Sequence, residues 1–304
     1  MRILVGYDGS SVSDAALEDL QWAGLPAQAE AMVLTVADVW VPPPPPPSPG
    51  QVDRAFAERV AAARERARRK AEDAVAAARA IATRGSERLR ALFPQWTLHA
   101  EACADSPAWG IIRKADEWRP DLLVVGAHRR SALERWFVGS VSYKVLTEAR
   151  CTVRIARGRA RAAGTPIRLV VGSDGSPDAD AAVQTIAVRS WPAGTEVRFV
   201  VVVDEALATM LGWSSFDEPA AQATLEKLLE PALQRLRAAP LAVSLVVKSG
   251  DPKRILVDEA ERWDADCIFL GARGLRRLER FLIGSVSAAV AARAPCSVEV
   301  VHPA

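Results

Sequence analysis

Short apolar runs alternate with amphipathic segments along the whole chain. Residues 122–125 and 200–203 are apolar at every position, which is typical of strands buried on both faces of a parallel sheet. The segments between such runs repeat apolar residues at steps of three and four, as helices that cover a sheet do. The alternation predicts a doubly wound α/β fold.

In the first half of the chain this pattern predicts strands at 3–7, 31–37, 97–101, 121–126 and 152–156, with helices at 13–22, 54–90, 107–118 and from Ser140 onward. The long helix has one apolar stripe and an excess of Lys and Arg on its other faces. That excess is typical of a solvated helix surface, and the alternative is a patch for an acidic partner or nucleic acid. The stripe consists of Phe56, Val60, Ala63, Ala67, Ala71, Ala74, Ala78 and Ile81.

The chain also repeats itself. The residues ILVGYDGS at 3–10 return as LVVGSDGS at 169–176, and GSVS at 139–142 returns at 284–287. The first pair of matches is farther apart than the second, so the first half contains an insertion, which we place at about 42–92. It includes the proline run 42–47, and residues 205–213 stand in its place in the second half. We predict two tandem domains, 1–158 and 166–304, joined by a short linker.

Composition and charge fit this picture. The 304 residues are 50% hydrophobic and 25% charged, as in globular proteins. A net charge of +2 is too small for a dedicated nucleic-acid binder. No apolar stretch approaches the length of about 20 residues that spans a membrane. The N-terminus becomes acidic at Asp8, before a secretory signal could form, which predicts a cytoplasmic protein.

The four cysteines, Cys103, Cys151, Cys267 and Cys296, form no C-x-x-C pair, which predicts buried thiols rather than a zinc site or disulfides. The three histidines, His99, His128 and His302, have no partner at a spacing that indicates a metal site or a catalytic triad. We therefore assign no catalytic residue and no metal ligand.

The chemistry is concentrated in a glycine motif of the second half. Gly271-x-x-Gly274-x9-Gly284-Ser285 follows a predicted strand and opens a helix. Glycines let a phosphate chain approach the backbone, and a helix N-terminus supplies free N–H groups and a favourable dipole. Ser285 and Ser287 can cap this helix or donate hydroxyls to phosphate or ribose oxygens. Asp174 follows the first strand of this half, where it could bind adenine or ribose, or only cap the next helix.

Together these residues resemble the universal stress protein family, which has an Asp after the first strand and a G-x2-G-x9-G-S/T motif after the fourth. The resemblance covers both halves of the chain. It implies two domains of the adenine nucleotide alpha-hydrolase-like class, each with a five-stranded, mostly parallel sheet flanked by helices. It also implies that ATP binds in a cleft, as in one branch of the family, with Mg²⁺ held through the phosphates.

Carried over by position, the resemblance implies two sets of nucleotide-binding residues. In the second half these are Asp174, Val202, Gly271, Gly274, Gly284, Ser285, Val286 and Ser287, and in the first half Asp8, Val36, Gly126, Arg129, Gly139, Ser140, Val141 and Ser142. Arg129 departs from the motif because it stands where the second glycine belongs. Its side chain could obstruct the triphosphate or grip a phosphate, and we expect weaker or altered binding in the first half.

The function predicted from these residues is an ATP-binding stress-response protein that acts on an unidentified regulatory protein. One alternative is a slow ATPase or self-phosphorylating protein with Ser285 or Ser287 as acceptor. The other is a nucleotide-free dimeric scaffold that uses the Arg-rich helix. The resemblance further implies that the two halves pair through their last strands, 152–156 and 297–301, and a homodimer of the whole chain is a further expectation.

Overall fold

The computed structural model describes residues 1–40, 54–127, 138–158, 164–213, 215–274 and 283–303. The proline run, His128 and Arg129 lie outside the described residues. In the first half a 3₁₀ turn, Leu20–Trp22, follows the first helix. The elements of this half are β1 (Arg2–Gly6), α1 (Ser11–Asp19), β2 (Glu30–Ala37), α2 (Arg54–Leu92), β3 (Thr97–Ala104), α3 (Pro107–Trp118), β4 (Leu122–Gly126), α4 (Ser140–Glu148) and β5 (Thr152–Ala156).

The second half repeats this order, with three shorter helices where the first half has α2. Its elements are β6 (Arg168–Ser173), α5 (Pro177–Val188), β7 (Glu196–Val203), α6 (Glu205–Met210), α7 (Glu218–Leu228), α8 (Glu230–Arg237), β8 (Ala242–Ser249), α9 (Pro252–Arg262), β9 (Cys267–Gly271), α10 (Ser285–Arg293) and β10 (Ser297–Val301).

The described strands form one ten-stranded sheet in the order β3-β2-β1-β4-β5-β10-β9-β6-β7-β8. Within each half the strands are parallel, and β5 and β10 join the halves as an antiparallel pair. This arrangement confirms the predicted α/β class and the predicted pairing through the last strands. Because the joint uses one edge of each half-sheet, β3 and β8 form the outer edges.

Helices cover both faces of this sheet. On one face a single apolar core runs through both halves and includes Leu4, Val145, Val290 and Val298. On the other face each half has its own core, under α1 and α2 in the first half and under α5 and α8 in the second. The all-apolar strands predicted a sheet buried on both faces, and these cores confirm it.

Charged side chains are buried where the two halves meet. Glu299 is fully buried and lies directly opposite Arg154 in the antiparallel register. Arg154 Nη1 donates to Glu299 Oε2 at 3.1 Å, and Arg154 Nε donates to Asp19 Oδ2 at 2.7 Å. Arg189, at the end of α5, binds both carboxylate oxygens of the same Glu299, with Nη1 donating to Oε2 at 3.0 Å and Nη2 donating to Oε1. Two cations and two anions thus neutralise one another inside the joint.

Some element boundaries differ from the prediction for local reasons. Helix α1 begins at Ser11 rather than 13 because the Ser10 side chain accepts a hydrogen bond from Ser13 N and caps the helix. Strand β3 continues past 101 because its pairing with β2 extends to Ala104. The predicted bounds of α3 and β5 are confirmed.

The structure shows which part of the α2 stripe is covered, and it corrects part of the prediction for the cysteines. The apolar stripe of α2 is buried only in the C-terminal part of the helix, whereas Phe56 is 51% and Val60 38% exposed. All four cysteines are free, but only Cys267 and Cys296 are buried, and Cys103 and Cys151 are intermediate. Among the described residues, no helix is both long and apolar enough to cross a membrane.

Candidate functional site

The carboxyl ends of β6, β7 and β9 surround a cleft in the second half. Strand β6 lies between β7 and β9. The chain continues from β6 to β7 on one side and later reaches β9 on the other side of β6. Doubly wound sheets bind ligands at the point where the strand order reverses in this way. The cleft has a volume of about 330 Å³, a size typical of small-molecule sites. All eight predicted second-half residues line it: Asp174, Val202, Gly271, Gly274, Gly284, Ser285, Val286 and Ser287.

The first turn of α10 forms one wall of this cleft. Gly284 is the N-cap, with an extended backbone (φ −76°, ψ 155°), and offers no side chain to the helix end. The N–H groups of Ser285, Val286 and Ser287 have no acceptor within the helix. These groups and the positive end of the helix dipole favour an anion at this wall.

The two serines of this turn have different surroundings. Ser287 is buried, and its hydroxyl donates to the carbonyl of Gly271 at 2.7 Å. That bond links α10 to the end of β9. Because the Ser287 hydroxyl already donates to the protein, it is not available as a donor to a ligand. Ser285 is exposed, so its hydroxyl remains the side-chain donor that this turn can offer to a ligand.

Asp174 and Gly274 approach each other closely. Asp174 Oδ1 accepts a hydrogen bond of 3.0 Å from Ser176 N and so forms a turn just before α5, whereas the cap of that helix is Ser176, whose side chain accepts from Ala179 N. A Cβ placed on Gly274 would lie 2.5 Å from Asp174 Oδ2. A side chain at 274 would therefore force the pinned carboxylate to move, which is a physical reason for glycine at this position.

Sequence reasoning missed several other residues of the cleft wall, including Asp204, Leu207, Asp251 and Lys253. Asp204 caps α6 by accepting from Leu207 N at 2.9 Å, and Asp251 Oδ1 accepts from Lys253 N at 3.0 Å. Each Asp follows a strand and precedes a helix. Their N-cap position was the signal that could have placed them at this edge of the sheet.

An ion pair that sequence reasoning also missed lies beside the glycine motif. Asp178 is fully buried, and its Oδ2 accepts from both the backbone N and the Nε of Arg273, each at 3.1 Å. Arg273 lines the cleft next to Gly274. Burial and the Arg273 charge lower the pKa of nearby His302, although Asp178 opposes them. In the repeat, Val12 and His128 stand in place of Asp178 and Arg273.

A second, smaller cleft of about 260 Å³ occupies the equivalent place in the first half. Ser142 donates to the carbonyl of Gly126 at 2.7 Å, as Ser287 does to Gly271. Arg129, the departure from the motif, lies outside the described residues, so weaker binding here stays a prediction. The other predicted first-half residues all line the cleft: Asp8, Val36, Gly126, Gly139, Ser140, Val141 and Ser142.

Asp8 makes the same turn as Asp174. Its Oδ1 accepts from Ser10 N at 3.0 Å. Burial by itself raises the pKa of the Asp8 carboxyl, but hydrogen bonds from Ser10 and Ser13 outweigh burial and hold the pKa below its ordinary value. Asp8 therefore stays ionised near neutral pH and accepts hydrogen bonds.

Comparison with known proteins finds the same family in both halves. The model of the universal stress protein family matches residues 1–157 and 167–302. A universal stress protein of Mycobacterium tuberculosis is 28% identical over 307 residues, covering 97% of this chain and 96% of that protein. One from Synechocystis is 38% identical over 81 residues, which are 27% of this chain and 53% of that protein.

A solved structure supports the fold along the whole chain. The crystal structure of a universal stress protein from Archaeoglobus fulgidus matches 99% of this chain and 96% of its own, with a TM-score of 0.60. The two sequences are 20% identical, so this likeness concerns the fold.

Proposed function

The chain belongs to the universal stress protein family, and from that premise we propose that its second half binds ATP in the cleft between β6 and β9. The observation that carries the proposal is the first turn of α10. Its open N-terminus lies on the wall of the cleft, where backbone N–H groups and the helix dipole suit the phosphates.

The cleft offers different chemistry along its length. At the α10 end, Gly271 and Gly284 let phosphates approach the backbone, and the exposed Ser285 hydroxyl adds a donor. Val202, Leu256 and Leu270 also line the cleft and provide an apolar wall for a base. Asp174 lines the cleft next to Gly274, where its carboxylate can accept a hydrogen bond from ribose or base. Mg²⁺ would accompany the phosphates and offset their charge.

The role that we propose is regulatory rather than catalytic. A ligand that binds one conformation more tightly than another shifts the population between them. At free ATP a hundredfold above Kd, binding stabilises the competent state by about 2.7 kcal/mol. That is enough to change which partner protein the chain engages during stress.

The test is to denature freshly purified protein and count the released adenine nucleotide per chain by mass spectrometry and absorbance. We expect close to one ATP per chain, because the second half has the complete motif. Gly284→Ala should abolish it. A Cβ there would lie 3.4 Å from the carbonyl oxygen of Ala272, an ordinary contact, so the change tests the ligand and not the fold.

The matched control is Gly139→Ala, which makes the same change at the N-cap of α4 in the first half. It should leave the nucleotide of the second half in place. If the wild-type chain releases no nucleotide and also binds none when ATP and Mg²⁺ are added, the proposal is wrong and the scaffold alternative gains support.

A further inference from the structure

The first part of α2 has no sheet or helix beneath it among the residues that the structure describes. The helix has 39 residues, which corresponds to about 58 Å. Ile81 already stands at the carboxyl end of β1, next to Gly9, so the residues before it lie beyond that end of the sheet. Residues 55–63 are all exposed, and burial begins at Ala71.

An apolar stripe nevertheless continues along this free part. Phe56 is 51% and Val60 38% exposed, and Ala63 and Ala67 complete the same face. Covering exposed large apolar side chains with a partner is favourable because it removes their apolar surface from water. The stripe is narrow and half of it is alanine, which suits the close approach of another helix.

Basic side chains border the stripe on both edges. At 3.6 residues per turn, Arg59, Arg66 and Lys70 follow one edge, and Arg64 and Arg68 follow the other. Glu58, Glu65 and Glu72 recur at steps of seven along the opposite face of the helix.

The ion pairs of this segment leave one edge uncompensated. Arg68 and Arg69 pair with Glu65 on the far face. Arg59, Arg66 and Lys70 form no ion pair with any residue that the structure describes. We call the four apolar residues with these two edges the basic-edged stripe.

We propose that the basic-edged stripe docks an amphipathic helix of another protein, whose apolar seam is bordered by Asp and Glu. Apolar contact along the seam would supply affinity, and carboxylates on its flanks would meet the basic edges and set partner choice. This surface is distinct from the nucleotide cleft and gives the long helix of the first half a function of its own.

The charges of the basic-edged stripe argue against a second copy of α2 as its partner. In either orientation, a second α2 would bring Arg or Lys edges against Arg or Lys edges, which disfavours pairing. A bilayer surface would call for a broader apolar face than one Phe, one Val and two Ala provide. An acidic helix satisfies both the stripe and its edges.

The experiment measures binding of the full chain to two synthetic four-heptad peptides by fluorescence anisotropy. Both peptides have a leucine seam, and they differ in carrying Glu or Lys beside it. We expect the Glu peptide to bind, with affinity that falls as salt rises, and the Lys peptide not to bind. Arg59→Glu/Arg66→Glu should weaken binding of the Glu peptide at least about tenfold, and Phe56→Ser/Val60→Ser should do the same.

The control is Arg79→Glu/Arg90→Glu, which makes the same charge change on exposed positions of α2 outside the stripe and should bind like the wild type. Equal binding of both peptides, no binding of either, or binding that the stripe variants leave unchanged would overturn the proposal. So would self-association of the free chain that Phe56→Ser/Val60→Ser abolishes, or adsorption to anionic phosphatidylserine vesicles without peptide binding. Circular dichroism checks that the variants keep their helix.

Discussion

His302 is a residue whose surroundings make stability depend on pH. It follows β10, its Nε2 atom is buried and has no hydrogen-bond partner among the described residues, and its backbone N donates to Thr152 Oγ1. Burial and the Arg273 guanidinium lower its pKa from the ordinary value of 6.5, against the opposing charge of Asp178. The unfolded chain then takes up a proton at a higher pH than the folded chain does.

We therefore predict that the free energy of unfolding falls as the pH drops below about 6.5. Urea unfolding at pH 7.5 and 5.5 measures this loss, which His302→Gln should reduce. The matched control is His99→Gln, which removes an exposed imidazole that pairs with Glu30. An equal loss in wild type and His302→Gln would show that His302 does not carry the effect.

The repeat predicted only part of this residue-level chemistry. Asp174 could be assigned because its block of sequence returns around Asp8, and Gly274 because the glycine spacing of the second half matches that of the family. The buried Asp178–Arg273 pair could not, because the first half has Val12 and His128 at those positions. A repeat indicates what the halves share, whereas this ion pair exists in one half only.

At the scale of elements, helix α10 gives different roles to two serines that the sequence could not distinguish. Its first turn contains one exposed serine, on the wall of the cleft, and one buried serine that bonds to the end of β9. The motif alone treats Ser285 and Ser287 alike, since both can cap a helix and both can bind a phosphate. The side-chain environment distinguishes them.

We predict that one serine substitution lowers stability and that the other weakens ATP binding. Ser287→Ala leaves the carbonyl of Gly271 without its side-chain donor and should cost about 1–3 kcal/mol of unfolding free energy. Ser285→Ala should change stability by less than about 0.5 kcal/mol and should weaken ATP binding. Urea unfolding and calorimetric titration measure the two effects. If Ser285→Ala leaves the Kd for ATP unchanged, the assignment of this hydroxyl to the ligand fails.

The helix α2 marks the limit of reading elements from periodicity. Steps of three and four placed the helix at 54–90, and the structure extends it only to Leu92. The same pattern predicted one continuous apolar stripe but not which part of it would be covered. Which part of the stripe is buried depends on how far the sheet extends along the helix, and local periodicity carries no information about that.

At the scale of the whole molecule, the antiparallel joint of β5 and β10 depends on buried charges that satisfy one another. Arg154 is shared between Asp19 of the first half and Glu299 of the second, and Arg189 binds both carboxylate oxygens of Glu299. Removing one member leaves a charge in a place that water does not reach, which costs far more than losing an exposed pair.

Glu299→Leu should therefore lower the free energy of unfolding by about 3–5 kcal/mol. The comparison is Asp258→Ala, which breaks the exposed pairs with Arg254 and Arg262 and should cost no more than about 1 kcal/mol. Equilibrium urea unfolding of both variants measures the difference. Similar costs would mean that the buried network contributes no more than a surface pair.

The contact between Arg154 and Glu299 also bears on whether each half can pair with a copy of itself. The two residues occupy the same place in the two copies of the repeat. If either half paired with its own duplicate, Arg154 would face Arg154, or Glu299 would face Glu299, and the ion pair across the strands would be lost. Asp19 or Arg189 of the same half would then be the counter-charge that remains. Pairing of unlike halves is therefore favoured over pairing of two like halves, so two polypeptides obtained by splitting the chain between its halves should associate with each other rather than with copies of themselves.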